Sequence, residues 1–317
     1  MDSAGVDQPA AVLVIGEVNV DIVLSGLQTP PVMGGEIVAE GMAMVLGSAS
    51  AIFASGMARL GHPVSFVSKT GDDEFGHFCR RALHDAKIHT DRLLFSSAPT
   101  GATVVLSTRE DRALVTNLGA IADLGYDDLP SDVFAGYRHL HLTSYFLQNR
   151  LRPDFARLMR EAKAAGLSVS FDPNSDPEQG WSPEIWEVMG LADVVFMNEG
   201  EALALTAATS LQEALAMLGE RTRCAVVKQG SRGAIAVCGL EQVFGAPYRV
   251  NAVDTTGAGD SFAAGFVYGL LAGASLAECL ARANGTGALS TTGVGGTAAQ
   301  PTAEELAALL QSHMPNQ

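Results

Sequence analysis

The sequence is short of charge, aromatic residues and cysteine. Of 317 residues, 17% are charged and 6% aromatic, with 4 cysteines and 2 tryptophans. Low charge beside 47% hydrophobic residues excludes an intrinsically disordered chain, which needs the opposite balance. Bases are the scarcer sign: 20 Lys and Arg stand against 35 Asp and Glu, a formal charge of −15. That argues against nucleic acid and membrane surfaces, which want a basic face. A small anion can still bind, because a local cluster of N–H groups suffices for it. No apolar run in the sequence approaches the roughly 20 residues that span a bilayer. The first 15 residues hold Asp2 and Asp7 but no Lys or Arg, unlike a secretory signal. Cys79, Cys224, Cys238 and Cys279 are scattered without a close pair. Reduced thiols in a cytoplasmic protein are therefore expected, with neither a disulfide framework nor a zinc site.

What is present is an alternation. Ala10 to Ile15 is a short apolar run ending at Gly16, the pattern of a buried strand in a parallel sheet. Ala49 to Leu60 reads as a packed helix stopped by Gly61, and Val64 to Val67 as a strand. Helices are expected over Asp73–Ala86, Pro153–Ala165, Gly259–Ala272 and Cys279–Ser290, and strands over Leu167–Phe171, Asp193–Met197 and Ala225–Lys228. Such an order implies βαβ units in one α/β domain over residues 10–311. Residues 17–45 and 99–121 break the rhythm and look like strands of a small separate sheet, a lid or an oligomer contact. The other reading of these two segments is edge hairpins of the main sheet.

One segment carries chemistry. Residues 251–266 read NAVDTTGAGDSFAAGF. Gly257, Ala258 and Gly259 stand between a short strand and an apolar helix. Small residues there let backbone N–H groups converge where the helix N-terminus adds partial positive charge, which makes an anion hole. Asp260 follows in the first turn, where a carboxylate can take a proton from a hydroxyl beside a held phosphoryl group. The four residues GAGD alone also read as a helix cap with close packing.

The longer string is more specific. DTTGAGDSF followed by AAGF resembles the carboxy-terminal signature of the ribokinase-like, or PfkB, family of carbohydrate kinases. Five further landmarks occur in the family's order. They are GEVNVD at 16–21, GSASAIFASGMARLG at 47–61, TGDDEFG at 70–76, NEGE at 198–201 and VKQGSRG at 227–233. The resemblance implies a three-layer α/β/α ribokinase-like fold with a mainly parallel central sheet and a small β-sheet lid. It also implies ATP-dependent phosphorylation of a hydroxymethyl-type hydroxyl on a small sugar or sugar derivative. Asp260 would be the base, and Gly257, Ala258 and Gly259 the anion hole. No GxxxxGK[ST] loop occurs in the sequence, so this late turn has to be the phosphate cradle.

Further roles follow from the resemblance alone. Asn19 and Asp21, with Gly47, Ser48 and Tyr145, would meet the sugar; one carboxylate can accept from two vicinal hydroxyls. Asn198 and Glu201 would organise Mg²⁺ and its waters, although the same pair also reads as a capping box. Lys228, Gly230, Gly233, Thr256 and Asn284 would lie along ATP. Asp254 and Thr256, with the loop 290–296, match positions that hold K⁺ in many members. Lid strands commonly make homodimers in such folds.

Two departures bear on the acceptor. The family's usual Gly-Gly and later Asn of the first signature are here Gly47-Ser48 and Ile52, so one reader of a sugar hydroxyl is missing, with Ser48 or Ser50 as partial substitutes. Asp176 stands where an Arg is common after the Asp172-Pro173-Asn174 turn. Ile52 and the Tyr145-Phe146 pair would also suit a nucleoside, so an adenosine-type kinase is the alternative, followed by a non-catalytic nucleotide- or sugar-binding regulator. A Rossmann dehydrogenase fits poorly, because the first strand ends in GEVNVD and not GxGxxG.

Overall fold

The computed structural model describes residues 11–108 and 112–313. The extreme termini, expected to be loose ends, lie outside the described residues. The strands are β1 (Val12–Ile15), β2 (Asn19–Leu27), β3 (Gly41–Leu46), β4 (Val64–Gly71), β5 (Leu93–Ser96), β6 (Gly101–Thr108), β7 (Arg112–Asn117), β8 (His139–Thr143), β9 (Ser168–Asp172), β10 (Val194–Asn198), β11 (Ala225–Lys228), β12 (Ala234–Cys238) and β13 (Glu241–Gly245). The α-helices are α1 (Ala49–Arg59), α2 (Glu74–Asp85), α3 (Phe155–Ala164), α4 (Ile185–Leu191), α5 (Glu199–Thr206), α6 (Leu211–Arg221), α7 (Ala258–Leu271), α8 (Leu276–Ser290) and α9 (Ala303–Ser312).

Nine strands form the main sheet in the order β13-β12-β11-β10-β9-β8-β1-β4-β5. Its β1 is flanked in parallel by β4 and β8 and is buried at every residue. Period two then divides its side chains between two cores. Leu13 and Ile15 join α3, α4, α5 and α6 on one face. Val12 and Val14 join α1, α2, α7 and α8 on the other. The result is three layers, helices over both faces of a mainly parallel sheet. A second sheet, ordered β3-β2-β6-β7, is separate from the first.

Two departures from the expected pattern stand out. The strands β11, β12 and β13 run antiparallel at one edge, where a parallel reading left nothing to bring distant residues together. Register there pairs Ala225 with Val237, so Cys224 and Cys238 fall opposite each other, with Cα atoms 4.1 Å apart, and are disulfide-bonded. This corrects the expectation of four free thiols: a spacing of 14 residues hides a cross-strand pair. Cys79 and Cys279 are free and buried, and burial pushes their thiols up to about 12 and about 11. Among the described residues no single helix is long and apolar enough to cross a membrane; α5 and α6 pass only as a pair bent by 71°.

Candidate active site

Five parallel strands, β11, β10, β9, β8 and β1, stand side by side. Their C-terminal ends bring Lys228, Asn198, Asp172, Thr143 and, just beyond Gly16, Glu17 into one row. Register sets Asn198 beside Lys228 and Thr143 beside Asp172. Lys228 Nζ lies 2.6 Å from Asp172 Oδ2, whose side chain is 1% exposed. Burial pulls the Lys228 pKa down, but Asp172, Glu201 and Asp260 outweigh it and hold it above its ordinary value. The ammonium is therefore kept charged.

Asn198 and Glu201 form the capping box of α5. Glu201 N donates to Asn198 Oδ1 at 2.9 Å, and Asn198 N to Glu201 Oε2 at 2.8 Å. The other oxygen of Glu201 accepts from Ser175 Oγ at 2.8 Å. Burial, then the charge of Asp172, raises the Glu201 pKa. The motif thus caps a helix and also sets a buried carboxylate beside the Lys228–Asp172 pair, a position that a nearby cation would stabilise.

Glu17 is buried, and hydroxyls enclose it. Ser50 Oγ donates at 2.7 Å, Ser144 Oγ at 2.7 Å and Thr143 Oγ1 at 3.1 Å. Asn174, at φ 54°, donates from Nδ2 to Ser144 Oγ at 2.8 Å. The turn after β9 is thereby tied to the turn after β1.

Facing this row is the start of α7. Gly257 has φ 69°, a left-handed conformation that favours glycine. A Cβ there would lie 2.7 Å from Gly296 Cα and 2.9 Å from Ile52 Cδ1; one at Gly259 would lie 3.1 Å from Lys228 Nζ. Ala258 N donates to Thr255 O at 3.3 Å; the other first-turn N–H groups have no intrahelical acceptor, and the cradle sets them beside the Lys228 charge. Asp260 is half-buried. Burial pushes its pKa up to about 7, against the pull of Lys228 and with the help of Asp172, Glu17 and Glu201.

The small sheet forms the other wall. Asp21 on β2 is 7% exposed. Burial raises its pKa to about 6, against the hydrogen bond from Asn19 and the charge of Arg112. Asn19 Nδ2 donates to Asp21 Oδ1 at 2.8 Å and to Thr103 Oγ1 at 3.1 Å. Gly47 permits this closeness, since a Cβ there would lie 2.1 Å from Asp21 Oδ1. Asp254 accepts from Thr256 N at 2.9 Å and from Gly295 N at 2.8 Å, which ties together the two loops matched to a K⁺ site. Burial opposes ionisation of Asp254, but these N–H groups and Arg112 win and lower its pKa.

Several sequence-predicted residues do other work here. Ser48 caps α1: its Oγ accepts from Ala51 N at 3.1 Å and donates to Glu17 O at 2.6 Å. Ser50 is bound to Glu17, so neither serine hydroxyl stands in for the missing asparagine. Ile52 is 3% exposed and packs on Gly257 and Gly296. Tyr145 is 5% exposed, edge-on to Phe146, Phe155 and Phe171. That core position corrects its assignment to the acceptor; a tyrosine at a strand end reads alike in both roles. Asp176 accepts from the backbone of Glu178, Gly180 and Trp181, so its charge is spent on its own turn. Gly230 and Gly233 flank a single 3₁₀ turn after β11. Asn284 on α8 is 8% exposed, and among the described residues its Nδ2 has no hydrogen-bond partner. Glu17 and Arg112 were not singled out from the sequence. The position of Glu17 just past a buried strand was the available signal.

With this geometry in view, the comparisons are consistent with one another. A model of the "pfkB family carbohydrate kinase" matches residues 10–303. An ATP-dependent ribose-1-phosphate kinase of Halopiger xanaduensis is 32% identical over 94% of this chain and 97% of its own. A fructokinase of Klebsiella pneumoniae is 34% identical over 82% and 90%. The structure of Arabidopsis thaliana ribokinase complexed with ribose and ATP superimposes with a TM-score of 0.81 at 25% identity, covering 96% of this chain and 99% of that one.

Proposed function

The chain belongs to the pfkB family of carbohydrate kinases, and from that premise we propose that it moves the γ-phosphoryl group of ATP onto a hydroxymethyl hydroxyl of a small sugar or sugar derivative. Asp260 is the base, and the turn Gly257–Ala258–Gly259 is the anion hole. The observation that carries this reading is the placement of Asp260 in the first turn of α7, directly after the Gly257–Ala258–Gly259 turn that faces Lys228, with burial raising its pKa. A base is most useful when its pKa lies near working pH.

Asp260 accepts the hydroxyl proton as the oxygen attacks. The glycine turn and Lys228 hold the transferring group, so the chain supplies position and charge more than covalent chemistry. Asp21, oriented by Asn19, accepts from acceptor hydroxyls. Asn284 offers its open amide to the adenine, and Gly230, Gly233 and Thr256 border the nucleotide. Mg²⁺ brought in with ATP would neutralise phosphate charge. Glu201 with Asn198 fits its water shell, since Mg²⁺ uses few protein ligands directly. Asp254 and Thr256 with the 290–296 loop remain the proposed K⁺ position. The small sheet, inserted in the single domain of residues 10–311, closes as a lid over the cleft and keeps water from the phosphoryl group. Use of ATP supports a cytoplasmic enzyme, whereas the Cys224–Cys238 disulfide does not. Ile52, buried against the anion hole, gives no support to a nucleoside acceptor.

The test is ADP release from ATP and Mg²⁺ against a panel of sugars, sugar acids, phosphosugars and nucleosides, with Asp260→Asn as the control. Turnover should fall by at least about 10²-fold, the low end for a general base, with ATP binding little changed. Near-normal turnover in the variant would overturn the assignment.

A further inference from the structure

At the β1 end of the row of strand ends stands a buried carboxylate, Glu17, 3% exposed. Donors from two sides enclose it. Ser50 reaches it twice, from Oγ to Oε2 at 2.7 Å and from its backbone N to Oε1 at 3.3 Å. Ser144 Oγ donates to Oε1 at 2.7 Å. Thr143 Oγ1 lies 3.1 Å from Oε2 and 2.6 Å from Ser50 Oγ. An ionised carboxylate only accepts, which suits such a shell.

Two connections leave Glu17, one for each side of the phosphoryl site. Through Ser50 it fixes the first turn of α1. Two residues on, Ile52 is buried; a Cβ at Gly257 would lie 2.9 Å from its Cδ1, and one at Gly296 closer still. Gln300 Nε2 donates to Ile52 O at 2.8 Å and to Ser261 Oγ at 2.9 Å, and Ser261 follows Asp260 on α7. The second connection runs through β8 and β9. Thr143 pairs with Asp172, which holds Lys228 at 2.6 Å, and Ser144 Oγ accepts from Asn174 Nδ2 at 2.8 Å. Base and lysine are thus located against one anchor. The charges that face Asp260 are those of Lys228 on β11, Asp172 on β9, Glu17 after β1 and Glu201 on α5. Asp172 is paired with Lys228, whereas the shell of Glu17 is hydroxyls and one N–H, which orient a charge without cancelling it.

We propose that Glu17 is a positioning residue for phosphoryl transfer: a buried anion, held by the start of α1, the end of β8 and the turn after it, that seats the Gly257 turn and sets a like charge before Asp260. This rests on the reading of Asp260 as the base and adds the residue that holds the base to its task. The like charge acts with burial to bring the Asp260 pKa up to about 7.

The test is the pH profile of kcat in Glu17→Gln, which keeps the side chain's size and removes its charge, beside Glu17→Asp, which keeps the charge. In Glu17→Gln the midpoint should move down by about half a pH unit or more, the effect of one partly screened like charge. The plateau kcat should fall about tenfold, the worth of one anchoring hydrogen bond, with KM for ATP little changed. Glu17→Asp should hold the midpoint near that of the wild type. A kcat loss with an unmoved midpoint would make Glu17 a structural residue only and overturns the inference; so does a wild-type kcat and midpoint. If Glu17→Gln does not fold, Ser50→Ala and Ser144→Ala decide. Each removes one donor and should lower kcat by about 5- to 10-fold, and a wild-type kcat in both overturns the inference. If no acceptor stimulates ADP release, the proposed reaction is what fails, and Tm decides instead. Glu17→Gln should then cost less Tm at pH 8.5 than at pH 5.5, because a lower Asp260 pKa narrows the window in which stability declines. That difference should vanish in the Asp260→Asn background. Its persistence there, or its absence in both backgrounds, overturns the inference.

Discussion

Asp260 meets two opposed demands. Taking a proton needs a pKa near neutrality, which here comes from withholding water; a carboxylate deprived of water resists ionisation. The consequence for stability has a definite sign. Unfolded, the group ionises near 3.8; folded, near 7. Between those values the native state holds a proton that the unfolded state has released, so stability declines as pH rises through this window. Asp260→Asn cannot ionise and escapes that decline. Its Tm relative to the wild type should therefore be more favourable at pH 8.5 than at pH 5.5. The wild-type kcat should rise with pH through about 7, as the base loses its proton. An equal Tm difference at both pH values would mean that Asp260 titrates as an ordinary carboxyl. Asp21, at about 6, adds a decline of the same sign to both proteins and cancels in the comparison.

Among elements, the row of strand ends gathers the cluster, and its buried ion pair is the most exposed to test. Lys228→Met leaves Asp172, 1% exposed, without its ammonium and beside Glu201. Removing one partner of a buried pair costs roughly 3–5 kcal/mol, which urea unfolding of the variant should show. The double variant Lys228→Met, Asp172→Leu should recover part of that loss, because an apolar pair strands no charge. A loss below about 1 kcal/mol, the range for exposed pairs, would mean that solvent already screens the site. The strands β1, β4, β9, β10 and β11 were legible as short apolar runs, and α1, α2, α3, α7 and α8 as packed helices, because burial on a parallel sheet imposes those patterns. The helices α4, α5, α6 and α9 were not singled out. Ser210 with Glu213 and Thr302 with Glu305 mark the starts of α6 and α9 and were the available signal, and α5 was seen only as its capping motif. The antiparallel edge was missed because β12 and β13 were not read as strands: β13 is mostly exposed and polar at its start, so it carries no buried apolar run, and the disulfide was missed with it. At the site, contiguous motifs such as GAGD were readable, whereas Arg112 near Thr256 and Glu17 beneath Ser144 depend on elements far apart in sequence. Tyr145 failed for a related reason: composition does not tell which way a strand-end aromatic turns.

For the whole molecule, the small sheet has two unlike faces. The face toward the cleft carries Asp21, Thr103, Thr116 and Arg112, with Val23 and Val105 buried and Leu114 exposed among them. Register sets Leu24 opposite Met42, Ile22 opposite Met44, and Val104 opposite Val115 on the other face. Cross-strand pairing aligns them into one apolar surface. Met42 is 75% exposed, Val115 60% and Met44 44%. Contiguous exposed apolar patches on a sheet are uncommon in monomers and mark association surfaces. A second copy is the simplest occupant, since a twofold interface matches one such face to itself. We therefore expect a homodimer through this face at micromolar concentration, as measured by light scattering. Met44→Glu with Val115→Glu would place like charges across the twofold axis and should give a monomer with its far-UV circular dichroism intact. The consequence for the site follows from β2, which carries Asp21 on the cleft face and Leu24, opposite the exposed Met42, on the other. A dimer would hold the lid strands in register, so the monomeric variant should raise KM for the acceptor more than for ATP. A wild type that is monomeric at these concentrations, or a variant that stays dimeric, would show that the apolar face does not form the interface.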